Sequence, residues 1–182
     1  LGTFFLTIIF DLTVAVQVGL ILACIFFIYR ISSLTRIEKL ELPESFAHED
    51  DLPLNDSFDL KNSVEAYGIY GSLFFGAVDK VEDLFNPQDP NRLKPKVIIL
   101  EMHQLINIDT SGIDALKALN NSLNKHGGQL LVCCANSQPS SLMVRSGFID
   151  EIGPENSLET LDLAFERAKK LSADACKLNV GS

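Results

Sequence analysis

The chain lacks the residue patterns that most catalytic and metal-binding proteins carry. Its four cysteines, Cys24, Cys133, Cys134 and Cys176, show no CxxC spacing, so neither a disulfide framework nor a thiolate zinc site is implied. The three histidines, His48, His103 and His126, stand apart from one another and from any cysteine at a ligand spacing, and they read as structural or surface residues. No GxGxxG comes after a strand-like run, and neither a phosphate-binding glycine loop nor a Ser-His-Asp arrangement can be placed from spacing. No catalytic residue, metal ligand or cofactor is therefore assigned, and an enzyme is not expected. Basic residues are in the minority, 15 against 24 acidic ones for a net charge of -9. Such a surface repels a phosphate backbone, which excludes nucleic acid as a partner.

Charge of either sign is scarcest at the beginning. Leu1 to Ser33 holds two formal charges, Asp11 and Arg30, which cancel, so the whole acidic surplus belongs to the chain after Ser33. Between Leu12 and Ile31, Arg30 is the sole charge, and Thr13 and Gln17 are the other polar side chains counted. As a helix this stretch is about 30 Å long, the thickness of a hydrocarbon core, and the reading is a transmembrane helix. Leu1 to Phe10 is equally apolar but half as long, and reads as the truncated end of another membrane helix, making 1–33 the end of a transmembrane domain. Asp11, before the span, suits a helix cap or an ion pathway. A helix buried in a soluble core is the alternative for the whole stretch. Arg30 at its far end, with Arg36 and Lys39 just beyond it, is read as placing the acidic remainder of the chain on the cytoplasmic side of a cell membrane. The chain opens on Leu1 without a basic leader or cleavage site, so it is read as the end of a longer protein rather than as a signal peptide.

Residues 34–62 form a junction and an acidic linker. Ile37 to Leu42 begins a sheet or extends the junction. Pro43 to Asn62 carries Glu44, Glu49, Asp50, Asp51, Asp56 and Asp59 with little apolar periodicity; a solvated linker fits better than a calcium site, because no EF-hand spacing is present. From 63 to 172 the pattern alternates. Strands are predicted at Val64–Tyr70, Val97–Met102, Gln129–Ala135 and, as a last short one, Phe148–Ile152. Helices are predicted from Ala77 to about Phe85, from Ser111 to His126, from Pro139 to Ser146, and along Leu158, Leu161, Phe165 and Ala168. Pro87, Pro90 and Pro95 break the segment between the first helix and the second strand, Gly127-Gly128 stops the second helix, and 173–182 is a tail. The order implies an α/β fold, a sheet with helices packed on it.

The chemistry-bearing stretch is Asp109-Thr110-Ser111-Gly112, a small polar turn that lies beyond the strand signal at Val97 and opens the next helix. Backbone N-H groups at a helix start have no intrahelical partner and carry partial positive charge, so capping, phosphate contact and hydroxyl modification are all natural there. One reading is a plain cap made by Asp109, Thr110 or Ser111, with Asp114 three residues after Ser111 spaced like a capping box. The other is a switch.

That turn resembles the STAS domain (sulfate transporter and anti-sigma factor antagonist), whose pattern places an Asp, a hydroxyl residue, a small residue and Gly at a strand-to-helix turn. Gly71-Ser72-Leu73-Phe74-Phe75-Gly76 is similar to an element of STAS domains in SulP-type anion transporters. Pro139, Leu142-Met143 and Ser146-Gly147-Phe148 resemble the family's P-x-x-x-x-L-x-x-x-G-F ending, and Thr3 to Tyr29 looks like the last membrane segments of the same transporters. The resemblance implies a STAS-like mixed β-sheet with helices packed on it, preceded by a transmembrane helix. It also implies the carboxy-terminal part of a secondary-active anion carrier, with sulfate the default and bicarbonate or dicarboxylate possible. Its STAS domain would serve cytoplasmic regulation and homodimer formation, and its partners would be the lipid bilayer, the upstream transmembrane domain and a regulatory protein. No substrate-binding residue is assigned. The anti-sigma antagonist branch implies instead a phospho-switch, membrane-tethered or stand-alone, in which the hydroxyl directly after the Asp, here Thr110, accepts phosphate.

Overall fold

The apolar run Val97-Ile98-Ile99-Leu100 can be covered on both faces only at the centre of a sheet, and the computed structural model places it there. Residues 12–32, 35–43, 63–74, 81 and 95–179 are described. Their elements are helix α1 (Leu12–Ser32), strands β1 (Arg36–Leu40), β2 (Val64–Leu73), β3 (Val97–Glu101) and β4 (Leu105–Ile108), helix α2 (Thr110–Lys125), strand β5 (Gln129–Cys133), helices α3 (Ser137–Arg145) and α4 (Phe148–Ile152), a 3-10 turn (Pro154–Asn156), the two-residue β6 (Ser157–Leu158) and helix α5 (Leu161–Asn179). The expected helix Ala77–Phe85 lies outside the described residues except at Val81, which is helical and buried. Leu1–Phe10, Asp11, the acidic linker after Pro43, and Pro87 and Pro90 also lie outside them.

The sheet runs β1-β2-β3-β5-β6. β1 is antiparallel to β2, with Arg36 opposite Tyr70 and Leu40 opposite Ala66, and the other pairs are parallel. β2 is long enough for two partners in succession. Val64–Gly68 pair with β3, then Gly71–Leu73 pair with β4, with a register shift between Gly71 and Ser72. Alternation along the strands divides the apolar side chains between two cores. Tyr67, Ile69, Ile98, Leu100, Leu130 and Val132 face α2, α3 and α4, and Val64, Ala66, Val97, Ile99, Leu131 and Cys133 face Ala164, Phe165 and Ala168 of α5.

Most predicted elements form, with shifted ends. α2 buries Ile113, Leu116, Leu119 and Leu123, the stripe its spacing predicts. It ends as the glycine pair requires. Gly127, at φ 71, donates its N-H to Asn124 at 3.0 Å, and Gly128 donates to Leu123 at 2.9 Å, the two bonds of a Schellman cap. One assignment is corrected. Phe148–Ile152 is a helix, not a strand, because Gly147 turns the chain at φ 72 and Phe148 and Ile152 are both buried. That four-residue spacing is one helical face, whereas a strand would have buried Asp150 as well.

α1 forms where the apolar run predicts, and it is apolar all round, with Leu20 66%, Phe26 65% and Ile28 65% exposed. Among the described residues no helix is long and apolar enough to cross a membrane. The fold therefore establishes an exposed apolar helix and does not by itself establish a span. After it, the hydroxyl of buried Thr35 donates to the Ser72 carbonyl and fastens the chain to β2.

Leu116 is fully buried at the centre of the α2 core. Leu116→Ala is expected to cost about 2–5 kcal/mol, read as a lowered urea midpoint at unchanged m-value, and an exposed-site control such as Asp114→Asn should shift it by less than about 0.5 kcal/mol.

Candidate functional site

β4 delivers the chain to the turn, and its own backbone is secured on both edges. One edge pairs with β2. On the other, the Gln138 side-chain amide behaves as a short piece of strand: its Oε1 accepts from Ile108 N at 3.0 Å and its Nε2 donates to Ile108 O at 3.0 Å. Asn136 Nδ2 donates to His103 O at 2.7 Å and Leu105 O at 3.0 Å. Backbone groups that would otherwise need water or another strand are thus taken up by two amides at the start of α3. These residues were missed at the level of sequence. The signal is faint: two amides beside a serine and a proline suggest a helix start and say nothing of a strand thirty residues earlier.

At the turn, Asp109 is extended, with φ -107 and ψ -178. Its N-H donates to Leu73 O at 3.3 Å, its carbonyl accepts from Ile113 N at 3.1 Å, and its Oδ1 accepts from Gly112 N at 2.8 Å. Asp109 is therefore the N-cap of α2. The capping box expected of Ser111 and Asp114 is not formed, since the residue three beyond the true cap is Gly112. Gly112 is dictated by space. A Cβ there would stand 2.6 Å from the Leu73 carbonyl oxygen and 2.7 Å from Ile108 Cγ1, so only glycine lets the first turn of α2 dock on the ends of β2 and β4.

The four sequence-predicted residues thus occupy one turn with divided roles. Asp109 caps, Gly112 permits the close approach, Ser111 is half-buried and Thr110 is exposed. Since the cap is made by a carboxylate, the Thr110 hydroxyl is left at the surface beside a ring of partly positive backbone N-H groups. Ile106 on β4 and Val144 on α3 are exposed apolar side chains. Behind the turn, Lys117 ties α2 to the following helices, its Nζ donating to Ser146 O at 3.1 Å and lying 3.2 Å from Glu151 Oε2. Among the described residues no group of three or more His, Cys, Asp and Glu side chains is placed to hold a metal ion.

A β1-antiparallel, otherwise parallel sheet with a capped Asp-Thr-Ser-Gly turn beyond β4 defines a class of protein, and comparison with known families names it. The STAS domain family matches residues 57–162, and the chain belongs to that family. Among curated proteins, "Putative sulfate transporter YvdB" of Bacillus subtilis is 35% identical over 161 residues, 88% of this chain and 28% of that protein. Sulfate transporter 2.1 of Arabidopsis thaliana is 37% identical over 93 residues, 50% of this chain and 14% of that protein. The chain thus spans less than a third of the length of these relatives. Among solved structures, a sulfate transporter family protein from Wolinella succinogenes superposes with TM-score 0.55 at 33% identity, covering 60% of this chain and 87% of that one. The murine Slc26a9 anion transporter, in its inward-facing state, shares the fold at TM-score 0.63 and 16% identity over 92% of this chain and 27% of its own.

Gly112→Ala is expected to destabilise the domain by about 1–3 kcal/mol through overpacking against Leu73 and Ile108. Asp109→Ala should cost about 1 kcal/mol through loss of the cap, and Asp109→Asn, which keeps an acceptor oxygen, clearly less. Thermal unfolding of the three variants checks the order.

Proposed function

We propose that this chain is the carboxy-terminal portion of a secondary-active inorganic anion transporter, with sulfate the first candidate ion and bicarbonate or dicarboxylate the alternatives. α1 is its last membrane crossing, and the STAS domain is a cytoplasmic module for regulation and homodimer formation. The observation that carries this reading is the 35% identity to the Bacillus protein over 161 residues, a longer match than the STAS domain at 57–162. It therefore takes in residues on the α1 side. The physical support is the surface of α1. A helix apolar on every face must be covered by protein or by lipid, and the large side chains from Leu20 to Ile28 are exposed to the domain's surroundings rather than packed into either core. Arg30 in its last turn, with Arg36 soon after, fits the cytoplasmic side. The anion site is assigned to no residue of this chain.

A second reading concerns the turn, where exposed Thr110 comes directly after the capping Asp109. Phosphorylation would add about -1.5 to -2 charge at the surface, next to the Asp109 carboxylate, and would change partner binding without removing the cap.

Expressed in a bacterial host, the chain is expected in the membrane fraction and to need detergent for extraction; recovery in the soluble fraction without detergent would overturn the membrane part of the proposal. Joined to the upstream part of its transporter, it should support uptake of labelled sulfate that competing bicarbonate or dicarboxylate does not abolish. Thr110→Glu should weaken binding of a cytoplasmic partner while leaving the unfolding temperature within about 2 °C of the parent, a shift expected of a surface change.

A further inference from the structure

β5 alternates as a doubly covered strand must. Leu130 and Val132 face the α2 core, and Leu131 and Cys133 face α5. Continued alternation would send Cys134 to the α2 side. Instead Cys134 adopts φ 58, the sole positive value outside glycine among the described residues. Its side chain turns back to pack against the same cluster as Cys133. Two thiols adjacent in sequence are thereby set side by side, one buried and one half-exposed, at the carboxyl end of the parallel strands. Glu101 lies directly opposite Cys133 in the ladder. A left-handed backbone is disfavoured for a residue with a Cβ, and glycine would relieve it. The cysteine side chain thus occupies a strained position that brings a second sulfur to the first.

We propose that Cys133 and Cys134 form a chelating dithiol for trivalent arsenic compounds of the arsenite and arsenoxide class. With an organic arsenoxide, two As–S bonds form while the As=O bond and both S–H bonds break. The two thiol protons leave with the oxygen as water, and arsenic remains trivalent throughout. A direct disulfide fits less well, because adjacent Cα atoms lie about 3.8 Å apart, below the roughly 4.4 Å at which unstrained disulfides begin. A bridging arsenic atom lets the sulfurs stay further apart. Simple thiophilic cations fit less well too, since they require thiolates, and burial, reinforced by the neighbouring Cys134 thiol and by Glu101, pushes the Cys133 thiol up and keeps it protonated. Condensation with an arsenoxide consumes the protonated thiols as they stand. The half-exposed Cys134 gives the first contact, and Cys133 closes the ring. Occupation would be felt nearby, because Asn136, two residues on, holds the outer edge of β4 through His103 and Leu105.

The test uses the full chain in detergent micelles with Cys24→Ser and Cys176→Ser, so that the vicinal pair supplies all the thiols, and phenylarsine oxide as the probe. Intact-mass analysis of the folded protein should show one phenylarsenic group per chain. It should survive washing with excess glutathione and be removed by 2,3-dimercaptopropanol. Cys134→Gly keeps the left-handed backbone and should unfold at the same or a higher temperature, yet retain the probe about a hundredfold less well, as expected when a chelate becomes a single bond. Retention in Cys134→Gly equal to that of the parent would overturn the proposal. So would loss of the probe from the parent to glutathione as readily as from the variant, or labelling that appears only after unfolding.

Discussion

The organisation of the domain depends on how one short strand is kept from having a free edge. β4 has a sheet neighbour on one side alone, and a buried backbone group without a partner costs as much as a lost hydrogen bond. The solution is side-chain: Gln138 reproduces the paired donor and acceptor of a strand against Ile108, and Asn136 occupies the carbonyls of His103 and Leu105. The start of α3 thus serves as the missing strand. Everything downstream in space depends on it, because β4 positions the cap of α2, and α2 carries the central stripe of the larger core.

The same docking constrains the turn at two positions and leaves Thr110 at the surface. Gly112 has the Leu73 carbonyl and the Ile108 side chain where a Cβ would go, and Asp109 is engaged through its N-H, its carbonyl and its carboxylate at once. Thr110 lies between these fixed points, exposed. A residue held by its neighbours but not used by them can be chosen for chemistry rather than for folding. Elsewhere polar burial obeys the opposite logic. Glu65 is placed among apolar neighbours and is satisfied there, with Lys39 Nζ at 2.7 Å from one oxygen and the Tyr67 hydroxyl donating at 2.7 Å to the other. That arrangement sews the edge strand β1 to β2, at a desolvation cost that only full pairing offsets.

Legibility from sequence tracked the strength of the local signal. The β3 run, the α2 stripe and its glycine stop were readable, because burial on both faces and a 3.6-residue period each leave an unmistakable pattern over many positions. Phe148–Ile152 was not, since five residues with two apolar ends fit either period until the left-handed Gly147 is known. β4 was missed because its burial runs buried, exposed, exposed, buried, which is no strand's alternation, Ile106 being passed over where the pairing moves from Gly71–Leu105 to Ser72–Asn107. In the site, a cap within the turn was legible, and which of Asp109, Thr110 and Ser111 makes it was not. Asp109 rather than Ser111 is the cap because of where the Leu73 carbonyl stands, a contact across more than thirty residues that no local pattern encodes.

These contacts also bear on how the cap and the proposed phosphorylation could share one turn. A phosphate at Thr110 would face two opposing fields: the partly positive N-H groups opening α2, which favour it, and the Asp109 carboxylate one residue away, which does not. Because Asp109 already accepts from Gly112 N, the incoming group cannot take over that donor without displacing the cap. A phosphate there would therefore point away from the cap. Its charge would alter what an approaching protein meets, while the hydrogen bonds that hold the helix would stay in place. Such a charge change would leave the fold in place, because the cap rests on the residue before the hydroxyl and not on the hydroxyl itself.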